Sequence, residues 1–221
     1  MVWSCLVSIL PGMAQTEKLT DYVNPFVGTD GYGNVYPGAQ IPFGGIQISP
    51  DTDSRFYDAA SGYKYNHLTL MGFSLTHLSG TGIPDLGDFL FIPGTGEMKL
   101  EPGTHEDPDQ GYRSRYSHDK EWASPNYYAV ELADYGVKAE MTSGVRSGMF
   151  RFTYPESDNA FIMIDMNHTL WQSCEWANLR MENDSTITGY KLVKGWGPER
   201  HVYFAAVFSR KLTGLRFMQD K

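Results

Sequence analysis

Residues 127–154, YYAVELADYGVKAEMTSGVRSGMFRFTY, contain three consecutive segments with the composition of β-strands. Segments 127–132 and 137–142 are rich in apolar residues, and they flank the turn-forming sequence ADYG at 133–136. Two such runs joined by a short turn that contains glycine predict a β-hairpin. Segment 144–154 then alternates apolar and polar residues, which is the pattern of a strand with one buried face. This stretch therefore predicts antiparallel β-structure.

Strand-like segments continue on both sides of this stretch, and turn-forming residues separate them about every 8–12 residues. They are 70–76, 89–92, 160–165, 186–192 and 201–208. This regular spacing predicts an all-β fold, an antiparallel β-sandwich over residues 20–212. Pro93 and Gly94 are predicted to end the strand before them. Residues 20–66 are rich in glycine and proline, so they predict long ordered loops with one short strand at 45–49.

The charge argues against a nucleic-acid-binding protein, and the cysteine content argues against a disulfide-stabilised one. The formal net charge is −8 and no cluster of five or more basic residues occurs, so the sequence argues against nucleic acid as a partner. An uncharged ligand such as a sugar is compatible with this balance. The two cysteines, Cys5 and Cys174, are too few for a disulfide framework.

The N-terminal residues resemble the end of a secretory signal peptide. The apolar run 6–10 ends at Pro11, and the small-x-small sequence GMA precedes Gln15. Residues 1–15 are therefore predicted to be an incomplete signal peptide, with the mature protein in the periplasm, outside the cell or at the surface of a bacterium. No apolar run reaches the roughly 18 residues of a membrane helix. Residues 213–221 lack cap and turn motifs and are predicted to be a truncated tail.

Residues 23–39, VNPFVGTDGYGNVYPGA, are unusually dense in glycine. Their GxG core suggests a phosphate-binding loop, but Pro37 and Gly38 exclude the helix that a dinucleotide fingerprint needs. Two interpretations remain open. Glycine either supplies the positive φ of a tight turn or lets the backbone line a ligand site. Asp30 and Asn34 lie beside the glycines and could bind a ligand, so a ligand site is as well supported as a tight turn.

Residues 74–88, SLTHLSGTGIPDLGD, combine histidine, serine, threonine and aspartate. A hydrolytic triad is disfavoured because His77 and Ser79 are neighbours, whereas a nucleophile and its base normally come from separate segments. Asp85 and Asp88 lack the spacing of a calcium-binding EF-hand loop. A polar loop that offers hydroxyl and backbone N–H groups to a sugar explains the segment better. The alternative is that Asp85 and Asp88 satisfy loop amides.

Three tryptophans occur close together in the last third of the chain. Trp171 lies in NHTLWQ at 167–172, and Trp176 and Trp196 follow it. Tryptophan beside asparagine, histidine and glutamine is typical of a surface that stacks on sugars. Because tryptophan is highly buried on average, burial in the core or against another domain is the favoured interpretation.

Six short motifs occur in a defined order along the chain. They are YVNPFVGT at 22–29, PGAQIPFG at 37–44, ISPDT at 48–52, GY at 62–63, GFSLTHLSGTG at 72–82 and DLGD at 85–88. In this combination, residues 20–210 resemble the N-terminal region of glycoside hydrolase family 92.

The resemblance implies both a fold and an activity. Members of this family are exo-acting, calcium-dependent α-mannosidases that hydrolyse with inversion, and many are bacterial enzymes that degrade N-glycans. Their N-terminal β-sandwich packs on a helical (α/α)6 barrel, which holds most of the catalytic carboxylates and the calcium ion. The resemblance therefore implies an N-terminal domain of α-1,2-mannosidase type whose partner is the barrel. It names no catalytic residue and no metal ligand in this chain.

The candidate substrate-binding residues come from the loops at 28–38 and 77–85. They are Gly28, Thr29, Asp30, Gly31, Pro37, Gly38, His77, Ser79, Gly80, Thr81, Gly82 and Asp85. We expect them to form pocket walls and to contact the leaving sugar of an α-mannoside or N-glycan. The alternative function is a free-standing carbohydrate-binding module. A third possibility is a remnant that exposes the surface a barrel would cover.

Overall fold

The computed structural model describes residues 17–54 and 59–218. The predicted signal peptide at 1–15 and the end of the predicted tail, 219–221, lie outside the described residues. Within the described ranges the regular structure consists of β-strands and isolated 3-10 turns, which confirms the predicted all-β class. No helix in these ranges has the length and the apolar character needed to cross a membrane.

Short strands make up nearly all of the regular structure in the described part of the chain. They are β1 (Ala39–Gln40), β2 (Gln47–Asp51), β3 (Thr69–Leu70), β4 (Gly72–Ser74), β5 (Leu90–Thr95), β6 (Ser114–Arg115), β7 (Glu121–Ser124), β8 (Tyr127–Leu132), β9 (Val137–Ser143), β10 (Gly148–Thr153), β11 (Ala160–Asp165), β12 (Ser173–Asn183), β13 (Thr186–Lys194) and β14 (Arg200–Val207). The strand pairs are antiparallel, as predicted.

The strands form a two-layer core with a third sheet attached. A five-stranded sheet has the order β1-β2-β4-β5-β11, and a four-stranded sheet has the order β10-β9-β8-β7. A three-stranded sheet, β12-β13-β14, and the short pair β3-β6 complete the described structure.

The predicted hairpin is formed by β8 and β9. Leu132 pairs with Val137 across the turn, and Gly136 in that turn has a φ of +62°, a conformation that favours glycine. The strand predicted from residue 144 starts four residues later, at the beginning of β10. The reason is a second turn, in which the Gly144 N–H donates to the Ser147 carbonyl at 2.7 Å.

The main core lies between the five-stranded and the four-stranded sheet. Buried aliphatic and aromatic side chains from both sheets meet there, including Ile48, Phe73, Val130, Leu132 and Met141. Burial of each such side chain contributes about 1.5–3 kcal/mol relative to exposure. This interface is therefore the rigid base from which the loops project.

Strand β5 does not end before Pro93 as predicted but continues to Thr95. β4 pairs with β5 only at Phe91, so the later part of β5 has an open edge on that side, where proline is tolerated. A Cβ at Gly94 would lie 2.4 Å from the ring of Phe161 on β11, so a larger residue there would displace that ring.

The three-stranded sheet is attached to the core through aromatic contacts of β14. The ring centroid of Phe204 lies 4.5 Å from that of Phe89 and 6.0 Å from that of Phe91. The loop at 166–172 and the turn at 195–199 flank two strands of this sheet. Because β14 is attached in this way, the loop at 166–172 and the turn at 195–199 lie on the same side of the molecule as the loop that precedes β5.

Candidate functional site

The glycine-rich loop, residues 28–34, folds back on itself. A Cβ at Gly33 would lie 2.2 Å from the Gly28 carbonyl oxygen, and Gly28 itself has a φ of +84°. The same oxygen accepts a hydrogen bond from the Val35 N–H at 3.2 Å. Gly28 and Gly33 are thus required by the conformation of the loop itself.

The next two candidate residues differ in exposure. Thr29 is buried, and its hydroxyl donates to the Phe26 carbonyl at 2.8 Å. The Thr29 carbonyl in turn accepts from the Tyr65 N–H at 2.9 Å. Asp30 is exposed and accepts the Gly31 N–H at 2.8 Å. A Cβ at Gly31 would meet nothing within 4 Å, so Asp30 and Gly31 are the positions open to a ligand.

Pro37 and Gly38 lie where β1 approaches β2. Pro37 is buried, and a Cβ at Gly38 would lie 2.0 Å from the Ile48 carbonyl oxygen. Both residues therefore serve the packing of the sheet and do not line an open surface.

The polar loop, residues 79–85, meets the glycine-rich loop directly. The Gly80 N–H donates to the Asn34 carbonyl at 2.7 Å. The Thr81 hydroxyl turns back onto the Ile83 carbonyl at 3.1 Å. The exposed candidate residues of this loop are Ser79, Gly80 and Gly82. The two loops form one rim, which we call the backbone rim because a main-chain hydrogen bond, from Gly80 to Asn34, joins them.

His77 lies buried beneath the backbone rim. Its Nδ1 is 2.6 Å from the Gln47 carbonyl oxygen, and its Nε2 is 2.7 Å from the Asp51 carboxylate. The Ser74 hydroxyl also approaches Nε2, at 3.1 Å. A catalytic triad needs its serine and its aspartate on opposite ring nitrogens, so these residues form a structural network instead.

Asp51 is the centre of this network. It is fully buried, and its second carboxylate oxygen lies 2.7 Å from Nε2 of His168. Burial alone would raise the pKa of Asp51, but His77 and His168 outweigh that effect and hold the pKa well below its usual range. An ionised carboxylate between two imidazoles therefore ties β2 to the loops that follow β4 and β11.

The carboxylates of Asp85 and Asp88 are both engaged within this chain. Asp85 accepts the Trp196 N–H at 3.1 Å, which is how an aspartate satisfies a loop amide. Asp88 lies 3.1 Å from the Lys191 ammonium nitrogen and also binds Arg200. Burial acts to raise the pKa of Asp88, but these two cations lower it overall.

The described residues do not fit a calcium ion. No group of three or more His, Cys, Asp or Glu side chains in these ranges is arranged to hold a metal. Calcium prefers several free oxygen ligands, whereas the carboxylates of Asp51 and Asp88 are already paired with histidine, lysine or arginine.

The three tryptophans do not fill the core of this chain. Trp171 is 55% exposed, Trp176 52% and Trp196 60%. Trp171 is a lining residue of two open clefts of about 550 and 490 Å3. Asp165 and Asn167 line the first cleft, and Trp196 lines the second.

Comparison with known proteins relates residues 22–221 to one family. The model of the glycosyl hydrolase family 92 N-terminal domain matches residues 22–221. A solved family GH92 alpha-mannosidase from Bacteroides thetaiotaomicron is 97% identical with a TM-score of 0.91, over 92% of this chain and 28% of that one. That protein has also been solved in complex with mannoimidazole.

Two further relatives are more distant. A family GH92 inverting mannosidase from Bacteroides thetaiotaomicron VPI-5482 is 22% identical with a TM-score of 0.62, over 87% of this chain and 29% of that one, and it supports the fold. An uncharacterized secreted glycosidase from Arthroderma benhamiae is 30% identical over 139 residues, which is 62% of this chain and 17% of that protein. The chain therefore spans less than a third of the length of each of these relatives.

Proposed function

This chain belongs to the glycosyl hydrolase family 92 N-terminal domain family, and from that premise we propose that it is the N-terminal domain of an enzyme that hydrolyses α-linked mannose. The observation that carries the proposal is its 97% identity to a family GH92 alpha-mannosidase over 92% of the chain. The β-sandwich over residues 20–212 contributes pocket walls and contacts to the leaving sugar. The catalytic groups belong to the remainder of such an enzyme.

The chemistry of the backbone rim supports this role. Its exposed face offers the Ser79 hydroxyl, the Gly80 carbonyl and the main-chain groups of Gly82, whereas the Gly80 N–H and both main-chain groups of Gly31 are bonded within the chain. Glycine allows a ligand to approach backbone N–H and C=O groups closely. A sugar has many hydroxyl groups, which can bond to these neutral groups and to the exposed Asp30 carboxylate.

The acid and the base of the reaction are assigned to the remainder of the enzyme. Inverting hydrolysis needs two carboxyl groups about 6.5–9.5 Å apart, one of them free to activate a water molecule. Asp51, Asp85 and Asp88 are each engaged by neighbouring residues of this chain. The calcium ion that the resemblance implies is assigned to the same remainder, where it would help to hold and distort the mannose ring.

The finer features of the proposal are an α-1,2 linkage preference, a role in N-glycan degradation and export from the cell. Ile83 is 45% exposed in the polar loop, where its side chain would contact a second sugar and influence the choice of linkage. The secreted glycosidase from Arthroderma benhamiae supports export.

The substitution Gly82→Val, in an enzyme that joins this chain to the remainder found in its relatives, tests the proposal. A Cβ at Gly82 meets nothing within 4 Å and its φ is ordinary, so the chain itself tolerates the change. If a sugar approaches this backbone, kcat/KM for an α-mannoside should fall at least about tenfold.

Gly214→Val is the matched control for this test. Gly214 is equally open, and it lies near Asp184 at the opposite end of the three-stranded sheet. Unchanged kinetics in both variants would remove the polar loop from the pocket.

A carbohydrate-binding module is the second candidate function, and the exposed side chains of Trp171 and Trp196 favour it. It would be preferred if Gly82→Val left turnover unchanged while the chain alone still bound mannosides.

A further inference from the structure

Strand β14 is an open edge of the three-stranded sheet. It pairs with β13 on one side, and no strand of the described ranges lies on its other side. The Phe208 N–H donates to the Ser185 carbonyl at 2.8 Å, which directs the main chain of Phe208 towards β13. Because this direction alternates along an antiparallel strand, every second residue of β14 turns its N–H and C=O groups away from β13. These residues, which we call the β14 edge, are His201, Tyr203, Ala205 and Val207.

The β14 edge lacks the features that normally protect an open edge. Proteins block such edges with short strands, charged side chains, proline or β-bulges. The other edge strands of the described structure follow this rule. β1, β3, β6 and β7 have at most four residues, β10 carries Arg151, β11 ends in Asp165, and β12 has two register shifts. By contrast, residues 201–207, HVYFAAV, contain no acidic residue, lysine, arginine, proline or glycine.

Aromatic side chains on the exposed face of the three-stranded sheet form a row that leads to this edge. The ring centroids of Trp176 and Tyr190 lie 5.1 Å apart, and those of Tyr190 and Tyr203 lie 4.5 Å apart. Trp176, Tyr203 and Val207 are each more than half exposed. A strand added at the β14 edge would therefore continue this row and remove apolar surface from water.

The β14 edge is complementary to itself. When two β14 strands run antiparallel with Phe204 opposite Phe204, Tyr203 lies opposite Ala205 of the second copy and His201 lies opposite its Val207. All four residues of the β14 edge then meet residues whose main-chain groups also face the contact. Such pairs exchange two hydrogen bonds each, so the contact closes about eight. Each aromatic side chain faces a smaller aliphatic one, and no like charges oppose each other.

We propose that β14 pairs antiparallel with β14 of a second copy of this chain, around a two-fold axis at Phe204. A two-fold contact uses the same surface of both copies, and here it joins the two three-stranded sheets into one. It also brings Glu199, which precedes β14, near Arg210 of the second copy, which follows β14. Both side chains are exposed, and opposite charges on neighbouring strands stabilise a pair. The contact does not include the backbone rim, so it is separate from the proposed function.

Sedimentation velocity and residue-resolved amide hydrogen exchange of the 221-residue chain test this contact. As the concentration rises to about 1 mM, the chain should pass from monomer to dimer. In the dimer, exchange of the four amides of the β14 edge should slow at least about tenfold. The amides of Phe204 and Ala206 face β13 already, so their exchange should change much less.

Ala205→Pro removes one N–H group of the β14 edge without removing a hydrogen bond to β13. Proline is tolerated at such an edge position, so the melting temperature of the dilute monomer should change little while the dimer disappears. Ala205→Thr is the matched control. Threonine keeps the N–H group and favours strands, so this variant should still form the dimer.

Three results would overturn the inference. The first is a chain that stays monomeric up to about 1 mM. The second is a dimer in which the amides of the β14 edge exchange as fast as in the monomer, because its contact would lie elsewhere. The third is protection of these amides that does not change with concentration, which would show that a segment of the same chain covers the edge. The exchange measurement uses the unaltered chain, so it decides the question even if Ala205→Pro does not fold.

Discussion

Asp51 is the residue that contributes most directly to the stability of the buried network below the backbone rim. Its carboxylate is fully buried and contacts His77 and His168, each at 2.7 Å. Asp51→Asn replaces the carboxylate that both imidazole rings contact by a neutral amide, and loss of a partner from a buried hydrogen-bond network costs about 1–3 kcal/mol for each group left unsatisfied. Urea unfolding followed by circular dichroism measures this loss.

Asp109→Asn is the control for this substitution. Asp109 also forms an ion pair, with Arg115 at 2.8 Å, but that pair is exposed to solvent and should matter little. Equal effects of the two substitutions would contradict the role given to burial.

The same carboxylate predicts a stability that depends on pH. Because the pKa of Asp51 is held well below the value of about 3.9 that an unfolded aspartate has, the unfolded state binds more protons in acid. Its contribution is complete above about pH 5 and is lost as the pH falls through the unfolded pKa towards the folded pKa. From about pH 5 to 3, the free energy of unfolding should fall more steeply for the wild type than for Asp51→Asn. Parallel curves would refute this.

The sequence located the loops of the site but not the role of each side chain in them. Asp30 and Ser79 are exposed as expected, whereas His77 and Asp85 point inwards. The reason is that their partners are remote in sequence, since Asp51 lies 26 residues from His77 and Trp196 lies 111 residues from Asp85. Composition can show that a loop is polar, but only the folded chain shows which polar groups are already paired.

Among the elements, the hairpin strands were predicted because their pairing is local and their alternation is regular. β12 was not predicted, although it is the longest strand in the described ranges. Its register shifts between Cys174 and Trp176 and again between Met181 and Asn183. Each irregularity moves later side chains to the other face, so the period of two that identifies a strand is broken.

The attachment of the three-stranded sheet gives a prediction at the scale of elements. Phe204 is the β14 residue whose ring reaches Phe89 and Phe91 on the core. Phe204→Ala should therefore cost about 3 kcal/mol and speed hydrogen exchange in β13 and β14, while β8 and β9 stay protected.

Tyr203→Ala is the matched control, because Tyr203 is the neighbouring aromatic residue on the exposed face and is 70% exposed. It removes only the cross-strand contact with Tyr190 inside the sheet, with ring centroids 4.5 Å apart, so it should speed exchange in β13 and β14 much less than Phe204→Ala does. The same protection in both variants would show that other contacts hold the sheet.

At the scale of the whole molecule, buried charges join the three-stranded sheet to the sandwich below the backbone rim and the clefts. The Lys191 ammonium nitrogen lies 2.6 Å from the His168 carbonyl oxygen and 3.1 Å from the Asp88 carboxylate. His168 in turn contacts Asp51, so one connected network runs from β13 to β2. Such a network holds the binding loops in place. It also pairs the carboxylates of Asp51 and Asp88 with neighbouring side chains, so neither is free to act as a catalytic acid or base.

This use of the carboxylates predicts that the chain alone releases no mannose from α-linked substrates, with or without calcium. Of Asp30, Asp51, Asp85 and Asp88, Asp30 is exposed and the other three are engaged within the chain, whereas inverting hydrolysis needs two suitably spaced carboxyl groups. Mannose release by the purified chain should therefore equal the blank, while an enzyme that joins the same chain to the remainder found in its relatives should be active. Release that vanished on Asp30→Asn would show instead that this domain carries a catalytic carboxylate of its own.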